Sequence, residues 1–351
     1  MTPYKSPYPV ACFLGLVLTL VSLQDASGQF TNETREVTRK GTTAAEFLSI
    51  PIGARATGMG SAVTASVDDP TALYWNPAGL GLLSGASVSV EHASWLAGIN
   101  FNYAAIALPS KLGAFGVAVT AMGTPDMRVT TVEEQEGTGE TFKASSYAFA
   151  VAWGRKLTDR FTFGVTVKVI TEQIWHSTAR GVALDIGTVF VTPFRGIRLG
   201  AAIANFGTKM EMAGDDLLVT ADIDPRNRGN NESNRAYLRV DQFDLPLIMR
   251  IGLAGEVLET ETTRLTVALD VLSPNNSDQY VNMGAEVGLL GDLLMVRGGY
   301  SELFLRNSIR SFSFGAGLRY DFSVVGLAID YAYEQQRYFD NVSRISMSLS
   351  F

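Results

Sequence analysis

The chain has 351 residues, a net charge of −7, 34 glycines and one cysteine, with a slightly positive mean hydropathy. The negative charge argues against nucleic acid as a partner. The lone cysteine, Cys12, falls in the leader described next, which excludes disulfides, thiolate catalysis and Cys-ligated metals from the mature chain.

The leader carries one charge near its start, Lys5, and continues into an apolar run, Val10 to Leu23. That run is shorter than the roughly 20 residues a helical span needs. Small residues follow at Ala26-Ser27-Gly28, so residues 1–28 read as a cleaved secretory signal. A lipid anchor on Cys12 fits less well, because Pro9-Val10-Ala11 is a poor lipobox. No later segment is apolar for long enough to span as a helix.

Residues 29–84 form a different kind of sequence, rich in small residues from Gly53 to Ala65. Small side chains let backbone pack closely against neighbours. Asp69-Pro70 reads as a helix cap followed by proline in the first turn. Asn76 precedes Pro77 and is steered away from helical geometry, so that short helix is expected to end there.

Residues 85–351 read as strand, turn, strand. Phe161, Phe163, Val165, Val167 and Val169 alternate with Thr162, Gly164, Thr166 and Lys168. Alternation of this kind gives one apolar face and one small or polar face. About fourteen such segments follow one another: 86–92, 100–109, 113–122, 145–155, 161–171, 181–192, 196–206, 246–257, 263–272, 280–290, 293–300, 309–321, 325–334 and 342–351. Every second connection is tight, as at Pro109–Leu112 and Gly291–Asp292, and the alternate ones are longer: 123–144, 172–180, 207–245, 273–279 and 335–341. An even strand count with short turns at one end and long loops at the other is the pattern of an outer-membrane β-barrel. The expected fold is therefore all-β: a transmembrane antiparallel barrel of about 14 strands with a small N-terminal helical plug. A soluble β-sandwich, the competing fold, leaves the leader and the loop asymmetry unexplained.

In the last segment Ile345, Met347, Leu349 and Phe351 alternate with Ser346, Ser348 and Ser350. A terminal strand ending in Phe resembles the signal by which such barrels are recognised for insertion. The expected location is the outer membrane of a Gram-negative-type envelope. The long loops then lie outside, Phe351 lies at the periplasmic rim, and residues 29–84 sit in the periplasm or the lumen.

Upstream of the barrel, Gly53-Ala-Arg55, Gly58-Met59-Gly60, Asp68-Asp69 and Trp75-Asn76-Pro77-Ala78-Gly79 form a motif of roughly forty residues. With the barrel behind it, this motif resembles the PorV/PorQ family, within the wider FadL-like group. The resemblance implies an N-terminal plug or hatch and a role in type IX secretion. The partners it implies are a translocon subunit and exported proteins bound through their C-terminal signal domains. FadL-like relatives instead imply passage of hydrophobic small molecules.

No enzyme is expected. His92 and His176 are the only histidines, without metal-ligand spacing or a nucleophile motif. No metal or cofactor is expected. Lys168, Asp185, Arg198, Arg250, Asp270, Glu286, Arg297, Arg319, Asp330 and Arg344 fall at inward positions with mixed signs. They read as a paired network bracing the plug, with a conducting path as the alternative. The acidic stretch around Glu133, Glu134, Glu136 and Glu140 lacks cation-ligand spacing and reads as a solvated loop. In the long loop, Met210, Met212, Leu217, Leu218 and Val219 are candidates either for docking a protein partner or for a lid over the mouth.

Overall fold

Alternating small and large residues fold here into a closed barrel, which the computed structural model describes for residues 39–222, 226 and 234–351. The leader lies outside the described residues. The barrel strands are β1 (Ser87–Ser94), β2 (Asn100–Ser110), β3 (Gly113–Gly123), β4 (Ala144–Thr158), β5 (Phe161–Ile174), β6 (Ser177–Val191) and β7 (Arg198–Gly207). They continue as β8 (Ile248–Glu259), β9 (Thr263–Pro274), β10 (Tyr280–Leu289), β11 (Leu294–Leu303), β12 (Arg310–Asp321), β13 (Gly326–Gln336) and β14 (Val342–Ser350). Each pairs antiparallel with its neighbours, and β1 pairs with β14 from Ser87↔Ser350 to Ser94↔Ser343, which closes the wall. Closure removes every sheet edge, the condition for a sheet to cross a bilayer.

The pleat sorts the side chains. Ile106, Phe115, Val151, Val169, Ile203, Phe314 and Ile345 point outward and are exposed, forming the apolar belt that lipid covers. Ala105, Ala118, Ala150, Ala202, Ala268 and Ala332 point inward and are buried. No helix among the described residues is long and apolar enough to cross a membrane.

Two places depart from the sequence expectation. The 172–180 connection is not long. β5 and β6 pair out to Ile174↔Ser177, because Trp175 adopts a left-handed φ of 51° that closes a tight turn. The wall is also irregular at Asn205, whose φ is 63° and where the β6–β7 register shifts between Leu184 and Ile186. Asp185 accepts the freed Asn205 amide at 2.8 Å, so the bulge leaves no orphaned donor there.

The lumen is filled by the segment that precedes β1. It contains short 3-10 helices at Glu46–Ser49 and Pro77–Leu82 and two short α-helices, α1 (Ala54–Gly58) and α2 (Ala72–Trp75). Asp69 Oδ1 accepts the Thr71 amide at 2.7 Å and so caps the turn that opens α2. Asn76 ends it in extended geometry, φ −162°, just before Pro77.

Candidate functional site

The hatch descends from the long-loop end of the barrel to the short-turn end. Near the long loops, Thr43 bridges to Asp244 and the Asn276 amide donates to Thr43 at 3.1 Å. At the opposite end, Pro77 and Leu80 lie against Gly154 near the β4–β5 turn.

Lumen glycines receive the hatch backbone. A Cβ on Gly164 would collide with the Pro77 carbonyl, and one on Gly187 with the Asn76 side chain. Gly200 meets Thr64 and Ala65, Gly284 meets Met59, Gly299 meets Gly60, and Gly315 meets Gly58. Gly60 itself has φ 63°, and its amide donates to Ser313 Oγ at 3.0 Å. Residues on both sides of these contacts are small because backbone touches wall. The motif glycines at 58 and 60 were legible in the sequence; the matching set in the wall was not singled out.

Asn76 is the polar centre of the hatch and has no solvent exposure. Its side-chain nitrogen donates to the Thr64 carbonyl at 2.7 Å and the Thr188 carbonyl at 3.1 Å. Its Oδ1 accepts the Ala78 amide at 3.2 Å. The Trp75 indole donates to the Ile52 carbonyl at 2.8 Å. Pro77, Ala78 and Gly79 complete the buried turn.

Glu286 holds the other side. It is fully buried and accepts Arg297 at 2.6 Å, Arg264 at 3.1 Å and Arg55 at 3.2 Å. Arg297 continues to Asp330 at 2.6 Å, and Arg55 to Asp68 at 2.6 Å and Asp69 at 3.7 Å. Wall and hatch thus share one charge network, in which each buried ion has an opposite partner. Asp270 accepts the Thr64 amide and hydroxyl at 2.9 and 2.7 Å. Arg344 pairs with Glu91 at 3.0 Å and donates to the Pro51 carbonyl at 2.6 Å. Lys168 pairs with Asp185 at 2.6 Å. Arg198 and Arg319 are only half-buried.

Toward the long loops the packing opens into a cavity of about 270 Å³. Trp75, Ile248, Leu272, Leu305 and Ile309 give it apolar walls, and Arg250 and Arg310 also line it. The Arg250 guanidinium lies 5.3 Å from the ring centroids of both Tyr74 and Trp75. It is 2% exposed, and its Nε has no hydrogen-bond partner. Arg310 pairs with Glu302 at 2.8 Å. The cavity therefore suits an apolar body, with positive charge fixed beside it. Of its polar residues the sequence pointed to Arg250 alone.

The long loop covers part of this mouth. Met210 is 1% exposed and packs on Gly181, so it faces the barrel. Met212, Leu217 and Val219 are half-buried, while Leu218, on the loop's small hairpin, is 39% exposed. His176 Nδ1 lies 3.0 Å from Asp216, and the His176 amide and Ser177 hydroxyl donate to the same carboxylate. Desolvation would raise the Asp216 carboxyl, but these hydrogen bonds and the charge of His176 hold it below its usual value. His92 pairs with Asn102 at 2.8 Å. Glu133, Glu134, Glu136 and Glu140 are exposed. On β14, Ile345 and Met347 are exposed and Leu349 is half-buried, and Phe351, just past the strand, is exposed.

No protein-family model matches the chain, and no curated protein matches it by sequence. Solved structures do match its fold. The toluene transporter TbuX of Ralstonia pickettii aligns over 86% of this chain and 98% of its own, with 12% identity and a TM-score of 0.54. The toluene transporter TodX of Pseudomonas putida aligns over 85% and 97%, with 13% identity and a TM-score of 0.54. A Pseudomonas aeruginosa FadL homologue aligns over 86% and 98%, with 12% identity and a TM-score of 0.51. The chain thus has the fold of FadL-like outer-membrane barrels. At these identities the likeness concerns the fold alone.

Proposed function

We propose that this protein is an outer-membrane channel for hydrophobic small molecules and not an enzyme. The mouth cavity of about 270 Å³, with apolar walls at Trp75, Ile248, Leu272, Leu305 and Ile309 and with Arg250, Arg310, Glu46 and Glu302 also lining it, carries the reading. A molecule with an apolar body and an acidic head fits that lining, the head lying toward the Arg250 side of the cavity. The FadL-like fold supports the same reading, since TbuX and TodX are described as toluene transporters. Passage to the short-turn end requires the hatch to move, because its backbone fills the space between the lumen glycines. The test is uptake by proteoliposomes of a fluorescent fatty acid and of a neutral aromatic. Uptake of either above protein-free vesicles supports the channel; none sinks it.

The motif resemblance ranked a type IX secretion role first, with translocon subunits or exported proteins as partners. One observation still favours that second reading: the wall is paired all round and exposes Tyr237, Leu238 and Phe243 on the long loop. Mild-detergent purification followed by mass spectrometry separates the two. A co-purifying translocon protein favours secretion, and a solitary barrel carrying lipid-like ligand favours uptake.

A further inference from the structure

The short-turn rim is electrically divided. Lys111 on the β2–β3 turn, Arg155, Lys156 and Arg160 around the β4–β5 turn, and Arg195 on the β6–β7 turn are exposed. Among the described residues none of these five forms an ion pair, and Asp159 is the one acid on those turns. Further round the rim, the β8–β9 turn next to this sector and the β12–β13 turn carry exposed Glu259, Glu261 and Asp321. The positive sector spans adjacent hairpins, since β3 pairs with β4 and β5 with β6.

A second cavity, about 290 Å³, opens in this sector between the end of the hatch, at Leu80 and Leu83, and Lys111, Arg155 and Lys156. Its walls are fixed. Gly81 presses on the Arg155 backbone, and the Trp153 indole donates to the Leu112 carbonyl at 3.1 Å, pinning the β2–β3 turn. By strand alternation Arg155 shares the outward face with Trp153, while Lys156 turns to the other face. The charge therefore straddles the rim. Immediately outside, Leu108, Leu112, Phe115 and Leu157 are exposed on the wall.

We propose that this cleft holds the phosphate of an anionic phospholipid from the adjoining leaflet. Its acyl chains lie along the outward face of β2 to β4, and Lys111, Arg155 and Lys156 neutralise the head group. Unpaired cations beside an apolar wall are the arrangement that anionic lipid heads recognise. A free phosphate shares the charge but finds no use for the apolar groove.

The test uses the full barrel in detergent, with phosphatidylglycerol or phosphatidylethanolamine added, read by native mass spectrometry. One saturable phosphatidylglycerol should be retained about tenfold more strongly than phosphatidylethanolamine. Lys111→Gln/Arg155→Gln/Lys156→Gln should abolish the preference, and Glu259→Gln/Glu261→Gln should keep it. Heat-modifiable gel migration confirms that each variant is folded. Equal retention of the two lipids, or a preference that survives the triple variant, overturns the proposal. Complete displacement by equimolar inorganic phosphate also overturns it, by assigning the cleft to a free anion.

Discussion

The two ends of the lumen solve opposite problems with the same chain. In the middle and toward the short turns, hatch backbone rests on wall glycines such as Gly164 and Gly284, and Arg55 is tied to the wall through Glu286. No room is left for a ligand between those glycines and the hatch backbone. Toward the long loops the facing residues are large, among them Tyr74, Trp75, Leu272 and Tyr280, and their poorer fit leaves a cavity. Residue size thus decides where the barrel seals and where it receives. Under the proposed function, a filled centre beneath an open mouth is a site loaded first and emptied by a conformational step.

The sharpest way to break this contrast is to remove Glu286. Glu286→Ala leaves Arg55, Arg264 and Arg297 without their shared acceptor. Breaking a buried ion pair in this way costs about 3–5 kcal/mol. The expected outcome is a loosened hatch, read as a lower temperature for the heat-modifiable gel shift and a higher conductance in planar bilayers. Gly164→Val attacks the seal from the wall side. Its side chain would meet the Pro77 carbonyl, an overpacking that costs about 1–3 kcal/mol. It should raise conductance with the ion pairs intact. Asn76→Ala removes the bonds to Thr64, Thr188 and Ala78 and leaves buried carbonyls unpaired. A loss of about 2 kcal/mol is expected, again read by the gel shift.

At the mouth the effects should be smaller on stability and specific to ligand. Arg250→Met keeps an apolar lining and removes the charge. Affinity for a fluorescent fatty acid should fall about tenfold in equilibrium titration, while that for a neutral aromatic changes little. The smallest effect concerns the long loop. The Asp216 carboxyl is held below its usual value, so its contact with His176 and Ser177 is fully present above the unfolded carboxylate range. That contact is lost as the pH falls through the lowered value. Limited proteolysis should therefore cut the 208–245 loop faster in acid than at neutral pH.

The wall was legible because alternation is a local signal. Phe161 to Val169 and Phe312 to Tyr320 each declare their two faces without reference to any partner strand. All fourteen segments formed strands, and their connections alternate as expected except at Trp175, where a left-handed residue made a tight turn that the flanking composition did not announce. The hatch was legible as small residues with turn punctuation, and Asn76 ended α2 as its position before proline required. Its seating was not. Gly164 and Gly284 look like ordinary lumen-facing glycines until the hatch backbone is placed on them. The mouth cavity was hidden for the same reason. Tyr74, Leu272 and Ile309 come from segments far apart in sequence, and nothing local links them. The mixed charges of the lumen weighed against a path for apolar molecules, yet most of them pair off toward the hatch. The lining left for a ligand is mainly apolar.

Under the proposed transport, the hatch must move for a molecule to pass. Ser346 Oγ lies 3.3 Å from the Ala54 amide, so Ala54→Cys/Ser346→Cys places two thiols between hatch and wall. Proteoliposomes bearing this variant should take up the fluorescent fatty acid when the bridge is reduced and stop when it is oxidised. Equal uptake in the two states would show that passage does not need the hatch to move, and uptake no faster than in protein-free vesicles would show that the barrel is not the path.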